Sequence, residues 1–195
     1  DKRVLDYPYI FRFFLVNFII CPLRSFSSSK IYKKLWSDET GSPLLHNTKM
    51  LSDKIQKLLP DYDVSFAMRY QQPSIEAELN ALLEKNPDEL VIMPLFPHFA
   101  ASTTGSVFAE ISRVLNKRWS VPKVKFINQF YDDESFLDAW IEQAQSFDIK
   151  SYDKVIFSYH GLPLSHVDKI YPDSLCSDND CESGITVENK FCYKA

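Results

Sequence analysis

Apolar residues recur at helical spacing through the first third of the chain. Tyr9 to Leu23 is almost unbroken, holding Phe13-Phe-Leu-Val and Phe18-Ile-Ile, with Arg12 and Asn17 as its polar interruptions. The stretch is shorter than the roughly 20 residues a bilayer core needs, and no small-residue cleavage site follows it. It therefore reads as a buried helix, with contact to a membrane surface as the alternative. Ser27 to Trp36 puts Ile31, Tyr32 and Leu35 at helical spacing. Ser42-Pro43 suits the cap and first turn of the next helix, which runs through Leu44, Leu45, Met50, Leu51, Ile55, Leu58 and Leu59 and stops before Pro60.

Beyond Pro60 short apolar runs alternate with amphipathic ones. Residues 63–68, 89–94, 124–127 and 154–157 suit strands, the second being apolar enough to be covered on both faces. Pro73 to Glu84, Gly105 to Lys117 and Asp133 to Phe147 suit helices, with Ser102 or Thr103 as caps for the middle one. Such alternation predicts an α/β fold with parallel sheets joined by crossovers. The polar Lys117-Arg-Trp-Ser120 segment and Pro122 suggest a boundary between a first domain, 1–119, and a second, 120–195. Open parallel sheets bind ligands beyond the carboxyl ends of their strands. That rule selects residues 69–72, 96–106, 128–131 and 158–161.

Composition narrows the classes. The chain has 195 residues, 45% hydrophobic and 25% charged, enough to bury a core, so disorder is excluded. It has 4 Gly, where average usage would give roughly 14, and neither of the common glycine-rich phosphate cradles occurs. A nucleotide-binding α/β domain is accordingly disfavoured. A net charge of −4 offers no field for nucleic acid. The 4 Cys, three of them near the end, do not resemble a disulfide scaffold. The expected location is the cytoplasm, with peripheral membrane contact through the apolar amino-terminal stretch.

The most informative segment is Val155-Ile-Phe-Ser-Tyr-His-Gly-Leu-Pro163. An apolar strand here delivers His160 to its end, and Gly161 and Pro163 turn the chain away. An imidazole so placed can accept a proton or bind a metal. Ser158 is no nucleophile partner for it: alternation along a strand separates the two side chains, and no G-x-S-x-G elbow exists.

Ser158-Tyr-His-Gly-Leu-Pro163 closely resembles the ferrochelatase signature. Leu95-Phe-Pro-His-Phe-Ala-Ala-Ser-Thr-Thr-Gly-Ser106 is similar to that family's P-x-Y/F-(S/A)-x-S-T-T-G-S loop, and Met68-Arg-Tyr70 to its M-R-Y segment. Arg24, with Tyr32 eight residues on and Gly41-Ser-Pro-Leu44 following, makes a fourth match. The order is the family's, and the matches cover essentially the whole chain.

The resemblance implies two Rossmann-like domains with parallel four-stranded sheets, incomplete here, and a tetrapyrrole cleft between them. It implies insertion of ferrous iron into protoporphyrin IX to give protohaem, with Fe²⁺ as substrate. His160 would face the porphyrin centre as metal ligand or proton acceptor, opposite an acidic partner expected beyond residue 195. Arg24, Tyr32 and Ser42 match residues lining the porphyrin, Arg24 suiting a propionate. Arg69 and Tyr70 would sit at the cleft rim, and the Ser102-Thr-Thr-Gly-Ser106 run, Ser102 and Thr103 foremost, would contact porphyrin or form a helix cap that also binds an anion. His98 stands where many relatives carry another residue, and no contact is assigned to it.

Cys176-x₄-Cys181-x₁₀-Cys192 lies in a polar, acidic stretch. Three cysteines so close in a reducing compartment suggest a metal site rather than a bridge, although the spacing is not that of a zinc pair. Some bacterial ferrochelatases carry a [2Fe–2S] cluster on cysteines inserted just here. By that resemblance Cys176, Cys181 and Cys192 are three of four ligands, the fourth expected just past Ala195. Cys21 reads as a buried thiol.

Two other enzyme readings stay open, a coproporphyrin chelatase and a cobalt chelatase, because arginine placement does not distinguish two carboxylates from four. A different class, a non-catalytic tetrapyrrole or iron–sulfur carrier, would keep the cleft and lack turnover. The chain itself reads as a slice of a longer protein: a first domain short of its opening strand and about half of a second, inactive alone.

Overall fold

Tyr9 to Leu35 forms one continuous helix of 27 residues in the computed structural model, which describes residues 2–179, 184–190 and 192. It is α-helical over Tyr9–Phe14 (α1), π-helical over Leu15–Ile20, and α-helical again over Cys21–Leu35 (α2). The wide stretch has a local cause in Pro22. Its ring has no N–H and crowds the carbonyl four residues back. The chain answers by sending the Cys21 N–H to Val16, five residues back.

This helix corrects two expectations. None of its residues is buried, and Cys21 is exposed as well. By length and composition it could cross a membrane, at about 40 Å from the rise per residue. The polar interruptions fail to end it because each is satisfied locally: Asn17 Nδ2 donates to the Phe13 carbonyl at 2.8 Å, and Arg12 Nη1 to that of Tyr7 at 3.3 Å. The helix expected from Ser27 is simply its continuation.

Gly41 turns the chain into the next helix with φ +73°, a conformation that would strain a side chain. Its N–H and carbonyl pair with those of Ser37 at 2.9 and 3.0 Å. Ser42 then caps α3 (Pro43–Leu58), as expected, its hydroxyl accepting from the Leu45 N–H at 3.5 Å.

The strand expected over 63–68 does not form. Gln56 of α3 takes its place as hydrogen-bond partner: Oε1 accepts from the Val64 N–H at 2.8 Å, and Nε2 donates to the Tyr62 carbonyl at 2.7 Å. Met68 alone makes a bridge, to Ser74, with its N–H on the Pro73 carbonyl at 2.7 Å. Ser74 caps α4 (Ile75–Leu83), whose Ile75, Leu79 and Leu83 are buried four residues apart on one face.

Two strands pair among the described residues, β1 (Glu89–Ile92) and β2 (Lys123–Phe126). Lys123 N–H reaches the Asp88 carbonyl at 3.3 Å and Ile127 N–H that of Ile92 at 2.9 Å. That constant offset is a parallel register. The crossover carries α5 (Thr104–Leu115), with Ile111 and Val114 buried. The α/β expectation thus holds in coarse form as a mixed fold with a small parallel sheet. The strand expected over 154–157 is absent too: Ile156 is 85% exposed and Phe157 78%. An apolar strand of a parallel sheet needs a neighbour on its edge, and none pairs with this one among the described residues.

The chain gathers into two compact units, one of Asp1–Leu90 and Ser106–Lys123, the other of Val91–Gly105 and Val124–Ala195. In the first, Glu76 of α4 accepts from Lys117 at 2.7 Å and from Arg113 at 2.6 Å, while Arg118 donates to Asn80 at 2.9 Å. These bonds set α4 beside α5. In the second, α6 (Glu134–Gln145) starts on an Asp133 cap, and a short helix α7 (Leu164–Val167) follows the His160 segment.

Hydrogen bonds from Lys117 and Arg113 hold the Glu76 carboxyl at about 2, against an ordinary 4.5. The ionised form is favoured by folding, so this support is complete above pH 4.5 and fades as pH falls toward 2. The groups are half exposed, so the effect is small. Glu76→Gln should flatten the fall in urea midpoint across that acid range; an unchanged slope would assign the fall to other carboxylates. Thr104, at the start of α5, is wholly buried, and its Oγ1 has no hydrogen-bond partner. Thr104→Val should therefore stabilise by about 1 kcal/mol in urea unfolding; a loss of that size would reveal a partner for the hydroxyl.

Candidate functional site

The clearest polar knot joins the Met68-Arg-Tyr70 turn to α5. With Met68 pinned by Pro73, the Arg69 side chain lies against Ser106, a fully buried residue in the first turn of the helix. Arg69 Nε donates to Ser106 Oγ at 2.8 Å and to its carbonyl at 3.2 Å. The guanidinium carbon lies 4.6 Å from the centre of the Tyr70 ring, a cation–π distance, and Tyr70 Oη is 3.3 Å from the same Ser106 Oγ. One turn on, Glu110 is held below the usual carboxylate range, first by its hydrogen bond from Arg113 and further by the charges of Arg113 and Arg69.

Ser102 and Thr103 stand in a turn organised by the Ala100 carbonyl. That oxygen accepts from the Thr103 N–H at 3.2 Å, the Thr103 hydroxyl at 3.3 Å and the Gly105 N–H at 3.0 Å. The Thr103 hydroxyl therefore stabilises its own turn, and both side chains are half-buried.

Beyond the paired strands, the loops after β1 and β2 are tied together. Phe130 N–H donates to the Pro97 carbonyl at 2.9 Å, and the His98 and Tyr131 rings stack at 4.7 Å with planes only 4° apart. The strand-end rule selected both loops. It gave no hint of the stack, whose one sequence signal is an aromatic residue in each loop.

Arg24 and Tyr32 are exposed on α2, about 12 Å apart along its axis from eight residues of rise. The Ser42 hydroxyl is engaged as a cap. His160 is exposed in irregular chain, and a Cβ on Gly161 would meet nothing within 4 Å. The tight strand-end turn expected around His160 is thus not seen here, for the reason that removes its strand.

Two of the three clustered cysteines are placed together. Cys176 and Cys192 are both buried and share one apolar cluster with Val167, against which Leu162, Ile170 and Tyr171 pack. Asp168 accepts from the Cys176 N–H at 2.9 Å. Asn189, also buried, takes the Thr186 N–H at 2.6 Å on its side-chain oxygen, and its carbonyl takes the Cys192 N–H at 2.7 Å. Cys181 lies outside the described residues. Two buried thiols in an apolar setting, each with its backbone fixed, fit the donor chemistry of an iron–sulfur centre. Among the described residues no group of three metal-binding side chains gathers. Asp168 and Asn189 carry no signal in the sequence reading, which takes Ser106 only as a member of the 102–106 run and assigns it no partner.

Known proteins resemble this chain throughout. A family model described as Ferrochelatase matches residues 1–179. A ferrochelatase of Legionella pneumophila (strain Corby) is 38% identical over 196 residues, which take in 100% of this chain and 57% of that protein. One from Francisella tularensis subsp. holarctica (strain OSU18) is 38% identical over 174 residues, covering 87% of this chain and 52% of its own length. The chain thus spans about half the length of these relatives. With that match running through all four motif segments, the chain belongs to the ferrochelatase family.

Proposed function

We propose that the protein to which this chain belongs inserts ferrous iron into protoporphyrin IX to make protohaem, as an enzyme of haem biosynthesis. The observation that carries the reading is the meeting of two family motifs, Met68-Arg-Tyr70 and Ser-Thr-Thr-Gly-Ser106, in one part-buried hydrogen-bonded knot around the buried Ser106. The names of the relatives support it.

Metalation removes two pyrrole protons as Fe²⁺ sheds water and binds the four nitrogens. His160 is the group for this work: a neutral imidazole accepts a proton near pH 7 or ligates Fe²⁺. Arg24, Tyr32, Ser42, Tyr70, Ser102 and Thr103 serve the macrocycle and its propionates, with Arg69 beside them. Packing against remote parts of the ring would supply the energy to distort it and expose the pyrrole lone pairs. Two Rossmann-like domains, 1–119 and the beginning of a second at 120–195, would frame the cleft.

Cys176, Cys181 and Cys192 would hold a [2Fe–2S] cluster, which supplies a one-electron couple and a cross-link between chain segments when bound. The protein is cytoplasmic in this reading, and the exposed apolar helix Tyr9–Leu35 supports peripheral contact with a membrane.

In the full-length protein, His160→Ala should slow iron insertion by about 100-fold or more while porphyrin still quenches protein fluorescence at the same concentration. Undiminished turnover would reject His160 as the reacting group. Anaerobically purified protein should show visible charge-transfer absorption that Cys192→Ser removes; a colourless unsubstituted protein would dispose of the cluster.

A further inference from the structure

We propose that Arg69 is a positioning residue for the reaction proposed above, tying the first turn of α5 to the Met68–Tyr70 turn through Ser106 instead of binding a substrate carboxylate through Nε. The proposal rests on that functional reading for its consequence in turnover, and on geometry for the contact.

The Arg69 Nε–H is directed at two oxygens of one residue, Ser106 Oγ at 2.8 Å and Ser106 O at 3.2 Å. Ser106 is 0% exposed, so this edge of the guanidinium faces protein and not a ligand. The carbonyl it meets lies in the first turn of a helix, where it also serves the backbone N–H four residues on; a carbonyl oxygen has two lone pairs and can serve both donors. The Ser106 hydroxyl likewise faces Tyr70 Oη at 3.3 Å while the Tyr70 ring lies under the guanidinium. Arg69, Tyr70 and Ser106 therefore close a ring of contacts in which each fixes the other two. Tyr70 itself is 64% exposed. The exposed member is the one able to meet a ligand, and the arginine sets where it stands.

Charge alone does not reproduce this arrangement. A lysine carries the same charge but lacks the planar fork and the stacking face. A clamp of this kind is therefore not restored by Lys, whereas a cation serving only as counter-charge for a propionate is largely restored. The two roles also divide differently between steps. Losing a substrate-binding cation raises KM, while letting a positioned group drift lowers kcat.

The test uses the full-length protein with Arg69→Gln, Arg69→Lys, Ser106→Ala and the Arg69→Gln/Ser106→Ala double variant. Iron insertion is measured against porphyrin concentration, and amide hydrogen exchange is followed over residues 104–110. The clamp predicts kcat reduced by about 10- to 100-fold in Arg69→Gln, with KM for porphyrin unchanged. Arg69→Lys should be no better, and Ser106→Ala should move the same way by less. The double variant should be no worse than Arg69→Gln, because both changes break one interaction. Exchange over 104–110 should quicken in each single variant and no further in the double. Recovery by Arg69→Lys, a rise in KM with kcat kept, or additive losses would overturn the proposal. If the unsubstituted protein inserts no iron, the functional reading fails by itself. The clamp is then judged on exchange: it stands if Arg69→Gln and Ser106→Ala loosen the same amides non-additively, and falls if those amides are unaffected.

Discussion

Every backbone N–H removed from water must find an acceptor, and the architecture of this chain follows from where each segment finds one. β1 and β2 exist because they find each other, in parallel and in a single register. The apolar run at 154–157 has the composition of a buried strand, yet among the described residues it has no neighbour and stays irregular. Asp63 to Met68 finds a third solution, with the Gln56 side chain of α3 serving in place of a strand edge. Composition proposes a strand; only a partner makes one.

The same accounting governs the polar side chains. Ser42, Ser74 and Asp133 each accept a backbone N–H three residues on, so each begins a helix where its sequence places it. The Ala100 carbonyl gathers three donors and fixes the turn before α5. Arg69 extends the pattern from local to distant contacts, reaching a carbonyl and a hydroxyl 37 residues away. Among the described residues Thr104 is the exception, a buried hydroxyl without a hydrogen-bond partner.

Legibility in the sequence varied with the range of the interaction involved. The capped helices α3, α4 and α6 are legible because their causes lie within a few residues, and α5 is legible from its apolar face. The amino-terminal helix departs from its sequence pattern for a related reason. Arg12 and Asn17 looked like interruptions, but their side chains bond to carbonyls within the same turn or the one before. The family pattern carries residues 69 and 70 and the run from Ser102 to Ser106, but it does not say which of them meet. Nothing in spacing alone says that residue 69 meets residue 106. The stack of His98 on Tyr131 is similar: the strand-end rule brings two loops near each other and does not choose which rings meet.

The π-helical stretch from Leu15 to Ile20 changes how the first helix presents its surface. A wheel drawn at 3.6 residues per turn assumes one unbroken winding, and the wider turns break that assumption. Residues beyond Cys21 are out of phase with those before it. The stripe carrying Phe11 and Phe14 is therefore not the stripe carrying Arg24 and Tyr32, even where counting places them together. One backbone adjustment beside Pro22 thus shifts the angular register of every residue that follows it on the same helix.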